Sequence, residues 1–286
     1  STVAKLVKGT GLALPFRTGG GALDAPAPHA GEPPLFPSLP CPEDMRPRFE
    51  ALPETPHERH QTFIREKDAE RSTTGVTWFD HDACLGSMNR GYFWVQRRVL
   101  LGYWQTDEDA AVCLRLRFLH DGRDFASATV ENAQAGPAVL TRFGTRPDGG
   151  DWHGHLDRPE DGVFHAESFR ARYQLQGVGV SAHQLNDATF ALRAGHREAL
   201  VHALPGVFFD HDVRWECGQS GDVAYVDAVC YEGVRAAFDY QNPGATRVGA
   251  GLHLRRVDDN GHVARPSARD DDDGRISLGW PAHGLT

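Results

Sequence analysis

Two short stretches of the chain, "GVTWFDHD" ending at Asp82 and "GVFFDHD" ending at Asp212, join an aromatic pair directly to Asp-His-Asp. Carboxylates and imidazoles are ligands for divalent cations and serve as general acids and bases, so Asp80, His81, Asp82, Asp210, His211 and Asp212 are the first candidates for chemistry. Strand geometry works against using one copy alone. If either tripeptide continues a strand, its two Asp side chains share one face, while the His points the other way with Phe79 or Phe209. A metal would then need His from one copy and carboxylates from elsewhere, or a turn that breaks the alternation. The plain alternative is that each strand ends in an Asp that caps its turn, with the His packed beside a ring. A full tandem duplication does not fit, because the copies stand 130 residues apart while only 74 residues follow Asp212.

A second constellation is "DWHGHLDRPEDGVFH", with His153, His155, Glu160 and His165. On a strand, His-x-His puts both imidazoles on one face with a carboxylate close behind. This stretch resembles the local pattern of cupin metal sites, which implies a divalent ion held by His153, His155 and Glu160, with His211 completing the set through the fold. The resemblance ends there. The glycine spacing before the pair differs, Pro159 stands beside the carboxylate, and no P-x-G-x-x-H-x-x-x-N segment follows. In a chain with 15 histidines such a pair also arises in an ordinary hydrated loop. The candidate metal ligands are therefore His153, His155, Glu160, Asp80, His81, Asp210 and His211, and no catalytic residue is singled out.

Other chemical signatures are missing from the sequence. It contains no G-x-G-x-x-G after a strand, no P-loop, no G-x-S-x-G elbow and no H-E-x-x-H. The glycine-rich "FRTGGGALD" opens no helix whose N-terminus would hold phosphate. The run Asp270 to Asp273 lacks the alternating ligand spacing of a calcium loop and reads as a solvated charge run. Aromatics such as Trp78, Phe93, Trp94, Tyr103, Trp104 and Trp152 suit sugar stacking in principle, but in strands they serve the core.

The elements that position these residues fall into four segments. Residues 1–54 form an extended Pro-rich arm: 11 of the 18 prolines fall in residues 1–56, and their fixed φ and missing N–H exclude both helix and central strand. Leu14, Phe16, Leu35, Phe36, Leu39 and Phe49 recur through the arm and favour burial, so it is expected to lie on a surface, its own or a neighbour's. Residues 55–72 carry a capping box, with Thr55 as N-cap, Pro56 at the first helical position and Glu58 three residues after the cap, which predicts a surface helix from Pro56 to about Arg71. Residues 73–257 switch to period two. In "AVCLRLRFLHDG", Val112, Leu114, Leu116 and Phe118 face one way and Arg115 and Arg117 the other, and breaks such as "HDGRD" and "GQSGD" are hairpin turns. About ten to twelve strands at this spacing predict an all-β antiparallel sandwich, jelly roll or barrel. Residues 258–286 read as an acidic polar tail ending in a small apolar patch around Ile276, Leu278 and Trp280.

Bulk composition narrows the classes. A chain of 286 residues with 40% hydrophobic and 24% charged residues buries a substantial core without help from metals or disulfides. Its five cysteines are scattered with no C-x-x-C, so reduced thiols are expected. The net charge of -9, without a Lys/Arg cluster, argues against nucleic acid as a partner. No apolar run reaches bilayer-spanning length and the first residues lack a signal-peptide core, so an intracellular protein, or one within a particle assembled inside a cell, is expected. Two functions follow. One is a structural or interaction subunit of a larger assembly such as a virion, phage particle or organelle complex, docking on subunits of the same or a neighbouring type through its arm and tail, with no cofactor. The other is a β-sandwich or barrel enzyme or carbohydrate-binding protein with a His/Asp divalent-metal site.

Overall fold

Alternating apolar and polar side chains, punctuated by Gly and Asp turns, fold here into a body made almost wholly of antiparallel strands. The computed structural model describes residues 56–65, 68–89, 99–109, 111–125, 128–145, 161–259, 261, 264–270 and 276–285. In chain order, the first strands are β1 (His57–Arg65), β2 (Asp68–Phe79), β3 (Ala83–Met88), β4 (Leu100–Trp104), β5 (Val112–His120) and β6 (Arg123–Asp124). There follow β7 (Ala128–Ala135), β8 (Ala138–Thr145), β9 (Val163–Gln176), β10 (Ser181–Asn186), β11 (Thr189–Ala194) and β12 (Arg197–Ala203). The last are β13 (Val207–Phe208), β14 (His211–Asp212), β15 (Arg214–Ser220), β16 (Val223–Asp239), β17 (Val248–Arg256), β18 (Ser267–Asp270) and β19 (Ile276–Gly279).

Two large sheets result. The first runs β1-β2-β3-β4-β5-β9-β16-β15, with β6 paired to β5, and the second runs β10-β11-β12-β17-β8-β7. Two ribbons, β13-β14 and β18-β19, complete the described residues. The chain leaves the first sheet after β6, returns with β9, leaves again for β10 to β12, returns for β15 and β16, and ends in the second sheet with β17. Inward side chains from both sheets merge in one buried cluster, to which β5 contributes Val112, Leu114, Leu116 and Phe118, and β11 contributes Phe190 and Leu192. The alternation read in the sequence of β5 is thus the alternation that builds the core, and Arg115 and Arg117 stand on its other face. At its end, Asp121 (φ 48) and Gly122 (φ 77) make the two-residue turn to β6, where positive φ at both positions matches strand twist.

The predicted surface helix is not formed. His57–Arg65 and Asp68–Phe79 instead pair as the antiparallel strands β1 and β2, with His57 opposite Phe79 and Glu58 opposite Trp78. The reason is energetic. A capping box contributes about 1 kcal/mol, whereas the β-rich run "STTGVTWF" pairs with β1 over Thr73–Phe79 and with β3 over Gly75–Phe79 and buries Trp78 to 7% exposure. Glu58 accepts a hydrogen bond from Gly136 N at 2.6 Å, so its carboxylate serves the β7-β8 turn instead of a helix start. The expected arm, residues 1–54, lies outside the described residues.

The C-terminal residues form more than a polar tail. The β18-β19 ribbon and the 3-10 turn Pro281–His283 lie on the outer face of the second sheet, and Trp280 is 0% exposed among Ala138, Leu140 and Leu285. Two glycines of β17 make room for them. A Cβ on Gly251 would stand 2.7 Å from Trp280 Cζ3 and 2.8 Å from Pro266 Cγ, and one on Gly249 would stand 2.7 Å from Leu278 Cδ1. Gly251→Ala is therefore expected to lower the free energy of unfolding by about 1–3 kcal/mol through overpacking, and to raise the exposure of Trp280 to an aqueous fluorescence quencher. Urea denaturation and acrylamide quenching check both.

Candidate functional site

The first Asp-His-Asp occupies the turn between β2 and β3, and the strand ends at Phe79 before the alternation reaches it. Asp80 N donates to Ala83 O at 2.8 Å, and Asp80 Oδ1 accepts from His81 N at 2.8 Å, which closes the turn on itself. The outer oxygens reach across to the second sheet. Asp80 Oδ2 and Asp82 Oδ1 both accept from Arg197 Nη2, Asp82 Oδ1 also accepts from Arg197 Nε at 2.9 Å, and Asp82 Oδ2 pairs with His196 Nε2. Arg197 is only 2% exposed at the start of β12, and His81 points into solvent. The β11-β12 turn that presents Arg197 is fastened at two further points. Trp104 Nε1 donates to Ala194 O at 3.0 Å, and Gly195, with φ 55, packs where a Cβ would meet Thr106 Cγ2 at 2.9 Å.

The electrostatics agree with this clasp. Partial burial by itself would raise the Asp82 carboxyl, but the hydrogen bonds and charges of Arg197 and His196 outweigh it and hold Asp82 at about 2. Burial likewise pulls Arg197 down, and the hydrogen bonds and charges of Asp82 and Asp80 more than restore it. A carboxylate held this low is an ion-pair partner and a poor general base near neutral pH.

The second Asp-His-Asp has the same letters on a different backbone. Phe209 (φ 49) and Asp210 (φ 63) are both left-handed and form the tight turn between β13 and β14, with Phe208 opposite His211. Asp210 exchanges backbone and side-chain hydrogen bonds with Ala245, at 3.0 Å from its N to Ala245 O and 2.9 Å from Ala245 N to its Oδ1. The His211 ring lies 4.9 Å from that of Tyr231 and 6.2 Å from that of Phe238, at the rim of an aromatic group that includes Phe208, Phe209 and Tyr240. Each tripeptide thus has its own partners. Among the described residues, no three His, Cys, Asp or Glu side chains come together in an arrangement that could hold a metal ion. His153, His155 and Glu160 lie outside the described residues.

Sequence reasoning missed a third group of charges. Asp227 is 0% exposed in the middle of β16, where it accepts from Arg172 Nε and Nη2 at 2.7 Å each and from Arg170 Nη1 at 3.1 Å. Arg170 and Arg214 also bind Glu216 and Glu232, which links β9, β16 and β15 across their outer face. The Arg172 guanidinium stacks 3.9 Å from the centre of the Tyr225 ring. A lone Asp inside the apolar run "VAYVDAVCY", facing "FRARY" on the next strand, was the available signal. The thiols of the half-buried Cys84 and the buried Cys230 are poor nucleophiles, because desolvation pushes both up to about 12.

No protein-family model, no curated protein and no solved structure matches the chain.

The clasp has a measurable weight. Arg197→Met leaves the half-buried Asp80 and Asp82 without their shared donor and is expected to cost about 1–3 kcal/mol, while His81→Ala, which removes a solvent-facing ring, stays within about 0.5 kcal/mol. Because the folded-state value of Asp82 is below its ordinary 3.8, its stabilisation is present above that value and is lost as pH falls toward about 2. Denaturant midpoints measured from pH 6 to pH 2 should show an acid limb that is shallower in Asp82→Asn.

Proposed function

We propose that this protein is a structural or interaction subunit of a larger assembly, a virion, phage particle or organelle complex, with a two-layered β-sandwich as its body and its Pro-rich arm as the docking element. The observation that carries this reading is the fate of the most chemically suggestive residues in the sequence. Asp80 and Asp82 are committed to Arg197 and His196 in a clasp between sheets, and Asp210 is committed to its own turn. Groups satisfied in this way stiffen a scaffold, whereas acid-base and metal chemistry needs open coordination or a poised proton.

Composition supports the same reading. Pro-rich segments lose little further entropy on docking and can add to sheet edges, and among the described residues β1 and β15 are the end strands of the first sheet and β10 and β7 those of the second. The net charge of -9 favours protein partners over nucleic acid. Among the described residues, no helix is long and apolar enough to cross a membrane.

Native mass spectrometry of the full chain, beside a chain lacking residues 1–54, tests the proposal. An oligomer that the truncation reduces to a folded monomer is the expected result. A full-length chain that stays monomeric and carries stoichiometric divalent metal would overturn the proposal in favour of a metal site built on His153 and His155.

A further inference from the structure

The C-terminal segment is seated on the second sheet among three histidines. His202 on β12 and His253 on β17 project from the outer face on either side of Gly251, at 3% and 8% exposure. His283 comes down from the 3-10 turn. Trp280 stands between them, its ring centre 5.4 Å from that of His202, 6.4 Å from that of His253 and 4.6 Å from that of His283, and the His253 and His283 rings are 4.9 Å apart. Among the described residues, each imidazole has a buried nitrogen with no hydrogen-bond partner: Nε2 of His202, Nδ1 of His253 and Nε2 of His283. His202 Nδ1 meets only the Thr189 hydroxyl, at 3.3 Å.

Orphaned buried nitrogens in such number ask for a ligand. A metal ion is not supported, since among the described residues no such triad could hold one. The proton is the species these groups bind singly. An imidazolium at any of the three would place an N–H without an acceptor in an apolar seat, beside further positive charge. Arg265 and Arg255 face His202, and Arg255 and His283 face His253. The acidic groups nearby give little relief. Asp259 acts weakly on His253, and the buried Glu198 is already bound to Arg193 and Arg255, at 2.6 and 2.7 Å.

We propose that residues 276–285 form an acid-released latch: protonation of His202, His253 and His283 lifts Trp280 and Leu285 from the second sheet, uncovering Ala138 and Leu140 while both large sheets stay folded. The sign follows from burial first and the neighbouring cations second, which push His202 and His253 from 6.5 down to about 4, with His283 lowered in the same direction by burial. The closed latch therefore binds fewer protons than the open one. Closure is complete above the ordinary histidine value and weakens as pH falls from 6.5 toward about 4.

Hydrogen-deuterium exchange of the full chain at pH 7 and pH 5, corrected for intrinsic exchange, reads the latch directly. Protection over residues 267–270 and 276–285 should fall at pH 5 by on the order of tenfold or more, with β8, β12 and β17 unchanged. The triple variant His202→Gln, His253→Gln, His283→Gln should lose this pH response, and Trp280→Ala should leave the segment unprotected at both pH values. Equal wild-type protection at the two pH values would overturn the proposal. So would joint loss of protection in β12 and β17, a pH response abolished by EDTA, or a response that survives in either variant.

Discussion

A guanidinium that is almost out of water must be paired, and Arg197 meets that requirement only by drawing the β2-β3 turn of one sheet onto the β11-β12 turn of the other. An unpaired charge in that position would cost several kcal/mol, so the alternative arrangements of the corner are disfavoured together. The surrounding contacts make sense as consequences. Trp104 reaches Ala194 and Gly195 lies against Thr106 because the two turns are already held at the separation that the Arg197 hydrogen bonds set. Asp227 solves the same problem within one sheet, using Arg170 and Arg172 from β9 to satisfy a carboxylate that water does not reach.

Such pairing bears on function because a charged group used to close a buried network is withdrawn from chemistry. Asp80 and Asp82 look like ligands in the sequence and behave as acceptors for one arginine in the fold. Asp210 looks the same and instead closes a left-handed two-residue turn, where Phe209 tolerates a positive φ while packing on Phe208, Phe238 and Tyr240. Identical tripeptides therefore serve different backbones, which removes the premise that their recurrence marks a duplicated site.

How much of this was legible depends on whether the deciding contact is local. The strands were readable because period two is a local consequence of the pleat, which β5 follows from Val112 to Phe118, whereas β17 is buried on both faces from Val248 to Leu254. The hairpin β1-β2 was misread because Thr55, Pro56 and Glu58 match a helix start, while the competing energy comes from pairing with β3 and from burial of Trp78, neither visible in those letters. Arg197 carried no signal. It lies more than a hundred positions from the carboxylates that bind it, and nothing in "GHREALVHAL" marks its arginine as buried. Asp227 was closer to legible, since a charge inside an apolar strand needs a partner on a neighbouring strand.

The outer faces of the two sheets show what each can afford to leave in contact with water. On the first sheet, the β9, β16 and β15 strands present arginines and carboxylates that neutralise one another, so that face is stable when wet. The second sheet presents Ala138, Leu140 and two glycines, a surface that is stable only when covered, and the C-terminal ribbon covers it. The glycines fix the fit, since side chains at Gly249 or Gly251 would occupy the space of Leu278 and Trp280. The cover rests on histidines whose free nitrogens face no acceptor among the described residues, so its stability depends on those rings staying neutral. A lid held by leucines would be indifferent to protons, whereas this one couples the exposure of an apolar sheet face to pH.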